Sequence, residues 1–325
     1  MSKVLVVTPT YCTEDNRRLP LLLQTIYWVR QQTHKDYLHI VVDDGSTDST
    51  PSVLERLSQS DPKLKVFRKR NGGASAAINY GVERALAFGT PNYITICHSD
   101  DVLLPDSLEV RVQLARQRGA DFVYTAEVTI RDPSLPPLQR GGRAECSTSD
   151  ELFSALLHRR PSIPYVTMLW GAEFFLHKLQ GYDDRLTSAE DWDIALRSAK
   201  ELVSIQGIHV TSRRVTVARR AHEDCLRIQN MLDGTKERCY EKILHKHLKS
   251  EEYRAAMAFH KKRIVKLRRQ NPPSAVRKLI RRVLHSHVLK PIRRSYWTRV
   301  EIDPRVAAFL KEIDRVDYGL MDPAW

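Results

Sequence analysis

Five short, almost wholly apolar runs alternate with amphipathic stretches over the first 130 or so residues, and this alternation limits the fold more than any other feature. Lys3–Thr8 (KVLVVT), Leu38–Val42 (LHIVV), Leu64–Arg68 (LKVFR), Tyr93–Cys97 (YITIC) and Asp121–Val128 (DFVYTAEV) read as strands. Apolar and polar residues do not alternate in them, as expected of strands covered on both faces. Between them Leu19–Gln32, Ser49–Ser60, Ala74–Phe88 and Pro105–Gln117 have helical spacing. Ser49-Thr50-Pro51 predicts a capped start with proline in the first turn. Strand–helix alternation at this interval predicts an α/β fold with a mostly parallel sheet and crossover helices. Ligands of such sheets gather at the carboxyl ends of the strands.

Three of those strands run directly into polar and acidic residues. The first ends in Thr8-Pro9-Thr10-Tyr11, the second in Asp43-Asp44-Gly45-Ser46, the fourth in His98-Ser99-Asp100-Asp101. Adjacent carboxylates repel and need a cation, a proton or open water to coexist. Any one of these runs reads equally as a solvated turn or a helix start, since Asp, Gly and Ser are ordinary turn and cap residues. Three of them delivered to one sheet edge suggest a site.

The five cysteines (Cys12, Cys97, Cys146, Cys225, Cys239) are scattered and never spaced C-x-x-C, which excludes a disulfide scaffold and a cysteine zinc site. The start, MSKVLVVTPTY, is neither a signal peptide nor a span, and no apolar run approaches the ~20 residues a membrane helix needs. A cytoplasmic protein is expected, with peripheral contact at the inner face of a membrane as an option. The net charge of +13 is uneven: residues 236–300 carry +16, so the rest of the chain is slightly acidic.

The motifs VVTPTY, IVVDDGSTDST, RNGGASAAINYG, HSDD followed by proline, and GYDDRLTSAEDWDIALR occur in an order that resembles the family 2 inverting glycosyltransferases, over residues 3 to about 225. The resemblance implies a GT-A-type, mostly parallel sheet with flanking helices, to which a basic helical C-terminal appendage is added. It implies a catalytic domain over 1–233, with a donor half of about 1–128 and an acceptor half of 129–233, and a basic helical region over 234–325. The implied donor is a nucleotide-diphosphate sugar, a UDP-sugar being favoured, and the implied acceptor a hydroxyl of a glycan or lipid-linked glycan in cell-surface polysaccharide assembly.

Residue by residue, the implied donor set is Pro9, Thr10, Tyr11, Asp43 and Asp44 from the first two strands, Asn71, Gly73 and Asn79 from the third element, and Ser99, Asp100 and Arg220. Asp100 and Asp101, with His222 of ARRAHEDC, correspond to the metal motif, for which hard oxygen ligands suit Mn²⁺ or Mg²⁺. His98 stands where many members have aspartate and is expected to be a neutral ribose or packing contact. Ile78 stands where many have arginine, so Lys69, Arg70 or Arg220 would have to meet the phosphate. Asp191 corresponds to the base that takes the acceptor's proton; taken alone, it reads as a carboxylate opening the helix Trp192–Ala199. Trp170, Gly171 and Glu190 fall at the implied acceptor side, where Trp170 either stacks on a sugar or is core.

Residues 131–148 (RDPSLPPLQRGGRAECST) suggest a long connection or flap, and Gly234–Leu248, Glu251–Arg269 and Ala275–Val288 have helical patterns. The tail of 259–297 mixes Lys and Arg with Ile, Val and Leu, as do helices that lie on anionic membranes. A solvated appendage or a homo-oligomer contact is the alternative; sparse aromatic residues argue against nucleic acid. Three other function classes compete. A sugar nucleotidyltransferase should show a glycine-rich N-terminal loop with arginine, a dinucleotide oxidoreductase its G-x-G-x-x-G, and a non-catalytic binding protein leaves Asp43, Asp101 and Asp191 without purpose.

Overall fold

The apolar runs pair into one sheet, in the order β3-β2-β1-β4-β8-β6-β9-β5 with β7 on β6. This computed structural model describes residues 3–130, 138–140, 146–158, 165–220, 230, 233–270 and 304–313. Strands β1 (Val4–Thr10), β2 (Tyr37–Asp43), β3 (Leu64–Arg68) and β4 (Tyr93–Ile96) are mutually parallel. Beyond β4 the short β8 (Leu169–Gly171) is antiparallel to both β4 and β6 (Phe122–Ile130), and β9 (His209–Arg220) is parallel to β6. The carboxyl ends of β1, β2, β4, β6 and β9 therefore share one edge. Two-residue β5 (Val102–Leu103) pairs antiparallel with β9, and β7 (Leu138–Arg140) with β6.

Every residue of β1 and β2 is buried, so the expectation of strands covered on both faces is met. On one face Val4 and Val6 pack with Val29 of α1 (Leu19–Arg30) and with Leu108 and Val112 of α4 (Ser107–Arg118). There, too, Val41 packs with Leu22 and Ile26 of α1 and Leu54 of α2 (Thr50–Ser60). On the other face lies α3 (Ala74–Ala85), held close by Gly81, where a Cβ would sit 2.8 Å from both Val7 and Val42. The cap expected at Ser49 is not made: Asp48 Oδ1 accepts the Thr50 N–H instead, at 3.0 Å.

Helices α5 (Ser149–His158) and α6 (Glu190–Ile205) pack together beside the sheet, and a short π-helical turn (Phe174–Leu179) follows β8. The described residues fall into two compact units. One holds 3–220 and helix 304–313; the other holds 230–270, with α7 (Thr235–His247) and α8 (Ser250–Gln270). Helix α9 (Pro304–Ile313) buries Val306, Phe309 and Ile313, a helical stripe. Phe309 meets Trp28 of α1 edge-on at 4.7 Å, and Arg305 pairs with Asp106. The helix read at Ala275–Val288, and residues 131–137 and 141–145 of the flap, lie outside the described residues. Cys12, Cys97, Cys146 and Cys239 are free thiols.

One buried group makes the fold acid-sensitive. His39 of β2 is fully enclosed, with Nε2 2.9 Å from Thr8 Oγ1, and burial pushes its imidazole down to about 3. The unfolded chain protonates it near 6.5. Below that value the unfolded state binds the extra proton, so stability falls with pH until about 3. Between pH 7.5 and 5.0 the loss from His39 is expected to be about 2 kcal/mol. Urea unfolding at the two pH values measures it, and His39→Gln should lack that part of the dependence. An equal slope in the variant would count against the assignment.

Candidate active site

At the shared edge, Thr10 and Asp43 stand opposite each other at the ends of β1 and β2, and Arg68 of β3 is opposite Asp43. The chain turns sharply after β2: Gly45 has φ +86°, a left-handed conformation suited to glycine, and the Ser46 N–H donates to Asp43 Oδ1 at 2.8 Å. Ser46 Oγ in turn accepts the Cys12 N–H at 2.9 Å, tying the loop after β1 to the turn after β2. The other oxygen, Asp43 Oδ2, is buried and accepts no hydrogen bond within the protein; Arg68 Nε lies 3.3 Å away. A buried carboxylate oxygen in that condition is costly unless a ligand N–H or O–H meets it. Tyr11, two-fifths exposed, flanks the position.

The neighbouring Asp44 is differently occupied. Its carboxylate accepts from Lys69 Nζ at 2.9 Å, from the Gly72 N–H at 3.0 Å and from the Gly73 N–H at 2.8 Å. It clamps the loop that carries Asn71 and enters α3, with Gly73 at φ +88°. Asp44, expected as a donor contact, thereby holds that loop in place. The side-chain amide of Asn79, also expected at the donor, donates to the Tyr182 carbonyl at 2.9 Å and accepts the Tyr182 N–H at 2.8 Å. Lys69 is engaged by Asp44 and by the Arg70 carbonyl, and Ile78 is core.

After β4 the chain folds back at His98–Asp101, where the Asp101 N–H donates to the His98 carbonyl at 3.0 Å. Asp101 is buried; its Oδ1 accepts the Arg220 N–H at 3.2 Å, and its carbonyl accepts Thr25 Oγ1 at 2.8 Å. Burial raises the Asp101 carboxyl well above its ordinary range, Asp100 adds to this, and His98 and Arg219 oppose it. Arg219 of β9 bridges both carboxylate oxygens of buried Glu127 on β6, at 3.0 and 3.1 Å, and Thr129. Ser99 is buried in the same turn.

Asp191 is the second residue of α6, reached through a left-handed turn at Ala189. Its Oδ1 accepts the Tyr182 hydroxyl at 3.3 Å, and its Oδ2 lies 3.5 Å from His98 Nε2. The expectation of a neutral, packing His98 is therefore corrected. Burial disfavours its charge, but the carboxylates of Asp191, Asp101 and Asp100 together outweigh burial and push it up to about 10. His98 thus faces the acids that the sequence left unbalanced. Glu190 adjoins Asp191 at the helix start, where acidic residues favour the helix dipole.

Two acceptor-side expectations fail on position. Trp170 is fully buried, with Nε1 donating to Ser198 Oγ at 3.0 Å and the ring packed on Phe122 and Phe175. Gly171 pairs with Tyr93, at the amino end of β4 and so at the opposite edge of the sheet. His222 lies outside the described residues. Among the described residues no three His, Cys, Asp or Glu side chains converge as a metal cage. Asp100 and Asp101 supply two hard carboxylates, a set that suits a cation completing its shell with substrate phosphates. Arg68, Glu127, Arg219 and Tyr182 were not singled out from the sequence. Only Tyr182 carried a signal, its place in GYDD nine residues before Asp191.

The edge thus offers an acceptor oxygen with no hydrogen bond, a carboxylate pair and a half-buried carboxylate held by a tyrosine and a histidine. The family described as Glycosyl transferase family 2 matches residues 5–152. TuaG of Bacillus subtilis, a putative teichuronic acid biosynthesis glycosyltransferase, is 32% identical over 134 residues, 41% of this chain and 50% of that protein. The curated relatives are spanned by the chain over 16% to 50% of their length. In structure, S. aureus TarS 1–349 in complex with UDP-GlcNAc is similar at a TM-score of 0.56 and 16% identity, covering 79% of this chain and 70% of that one. The mannosyltransferase PcManGT of Pyrobaculum calidifontis, in complex with GDP-Man and Mn²⁺, is similar at 0.52 and 14% identity, over 90% and 82%. At these identities the two structures share the fold alone.

Proposed function

The chain carries a glycosyl transferase family 2 domain with a GT-A-like mixed, mostly parallel sheet, and from that premise we propose that it moves a sugar, with inversion, from a nucleotide-diphosphate donor to a hydroxyl of a glycan or lipid-linked acceptor. The observation that supports this reading is the 3.5 Å approach of His98 Nε2 to Asp191 Oδ2, which sets Asp191 beside the turn that bears Asp100 and Asp101. Residues 1–128 serve the donor and 129–233 the acceptor.

Asp43 Oδ2, which accepts no hydrogen bond within the protein, is open to an N–H of the donor's base. UDP-GlcNAc in TarS supports a UDP-sugar. Asp191 takes the proton of the acceptor hydroxyl as its oxygen attacks the anomeric carbon; the bond from that carbon to the diphosphate oxygen breaks on the opposite face, and the nucleoside diphosphate departs. Mn²⁺ or Mg²⁺, held by Asp100, Asp101 and the donor diphosphate, would supply stabilisation of the leaving group's charge, as the Mn²⁺ in PcManGT suggests. Arg219 and Glu127 keep β6 and β9 together behind Asp101. The likeness to TuaG, putatively of teichuronic acid biosynthesis, supports a role in cell-surface polysaccharide synthesis.

Among the described residues no helix is long and apolar enough to cross a membrane. The last described turns of helix α8 expose Lys261, Lys262, Val265 and Lys266, while its first turn exposes Glu251 and Glu252; that basic end is suited to the headgroups of an anionic membrane that carries a lipid-linked acceptor. Residues 271–297 of that basic tail lie outside the described residues.

Thermal unfolding with UDP, GDP, CDP and dTDP, each with and without Mn²⁺, tests the reading. UDP at about 100 times its Kd should raise stability by about 2.7 kcal/mol. Asp43→Ala should abolish the UDP shift, and Asp101→Ala only its Mn²⁺-dependent part. A protein indifferent to all four nucleotides would refute it.

A further inference from the structure

Tyr182 is held on every side, and its one polar group is directed at Asp191. Its backbone N–H and carbonyl are both paired with Asn79 of α3. The preceding Gly181 has φ +80°, and a Cβ there would come within 2.5 Å of Asn79 Oδ1, so glycine is required for that pairing. The ring lies against Trp170 and Phe175, at 6.5 and 6.4 Å between centroids. Arg197 of α6, paired with Asp193 at 2.9 Å, donates to the carbonyls of Leu179 and Gly181 and fastens the same loop to the helix that bears Asp191. Only after these ties does the hydroxyl reach Asp191 Oδ1, at 3.3 Å.

We propose that Tyr182 is a positioning residue for Asp191: its hydroxyl, held rigidly by Asn79, Gly181 and the aromatic packing, fixes the orientation of the carboxylate that receives the acceptor's proton. This rests on the transferase reading and on Asp191 as its base. A carboxylate at the start of a helix, partly open to solvent, can rotate about two side-chain bonds. His98 near Oδ2 restrains one oxygen, and the tyrosine hydroxyl restrains the other. Burial, with Asp191 and Glu190 close by, keeps the phenol protonated far above neutral pH, so it remains a donor throughout the working range. Orientation of a reacting group matters steeply, a misplacement of about 1 Å being able to cost about 100-fold.

The test measures nucleoside diphosphate release from UDP-GlcNAc, UDP-glucose, UDP-galactose and GDP-mannose with Mn²⁺, water serving as acceptor. The wild type, Tyr182→Phe, Asp191→Asn and the double variant are compared. Tyr182→Phe, which keeps the ring, is expected to lower kcat by about 10-fold with the donor KM unchanged. In the Asp191→Asn background it is expected to cost nothing further, because there is no base left to orient. Asn79→Ala, which frees the Tyr182 backbone and leaves its hydroxyl, is the second variant and should show the same dependence on Asp191. The UDP and Mn²⁺ thermal shift, retained in each, reports an intact fold. Losses of equal size in both backgrounds, or wild-type kcat in Tyr182→Phe, would overturn the positioning role alone. A wild type that binds UDP but turns over none of the donors would overturn the transferase reading and this proposal with it.

Discussion

Asp191→Asn is expected to lower transfer by about 10²–10⁴-fold, the usual contribution of a positioned general base, while leaving UDP binding as it is. The substitution keeps the shape of the side chain and its first-turn position in α6. An amide oxygen still accepts the Tyr182 hydroxyl, so the loop of 179–182 stays tied to the helix through both that contact and Arg197. The amide cannot take a proton at neutral pH. The acceptor hydroxyl then has to attack with its proton in place, and the barrier rises without any change in donor contacts at Asp43. Turnover and the UDP thermal shift, measured together, separate the two effects. Full turnover in the variant would remove Asp191 from the mechanism, and a lost UDP shift would mean that it serves binding instead.

Arg219→Met is expected to destabilise the protein by about 3–5 kcal/mol, the typical cost of leaving one partner of a buried ion pair alone. Glu127 is almost entirely enclosed on β6; the Nε–H of Arg219 reaches both its carboxylate oxygens, with Thr129 as a further contact. Asp101 lies close enough for both charges to act on it. Removing the guanidinium leaves Glu127 without its ion-pair partner and takes away a positive charge that favours the ionised form of Asp101. The same change should weaken Mn²⁺-dependent UDP binding, since the next residue, Arg220, holds Asp101 Oδ1 through its backbone N–H. Adding Glu127→Leu should return most of the lost stability, because an apolar pair has no charge to desolvate. Urea unfolding of the three proteins decides this. A loss below about 1 kcal/mol in Arg219→Met would place the pair with weak surface bridges.

The legible part of the site rests on what each residue does within its own element. Asp43, Asp100 and Asp101 are where the ends of apolar strands put them, and Asp191 is at the helix start that its own segment announces. The corrected roles depend on a partner far along the chain. Asp43 and Asp44 are adjacent and alike in sequence, yet one keeps an oxygen that accepts no hydrogen bond while the other is occupied by Lys69, Gly72 and Gly73. Trp170 is equally at home in a core or against a sugar until Ser198 and Phe122 close around it. Helix α9 carries an apolar stripe that has no meaning until Trp28 supplies the surface to cover.

The sequence by itself determined the strand–helix alternation, the parallel start of the sheet and the edge at which the acids gather, because hydrophobic period and turn chemistry act over a few residues. Only the tertiary structure decided which acids remain available and what charge balances them. His98 meets Asp191 across 93 positions, and Arg219 meets Glu127 across 92, through the neighbouring places of β6 and β9 in a sheet that runs out of chain order. A lone pair already engaged by one donor is not open to another, and no local pattern records which donor arrives first.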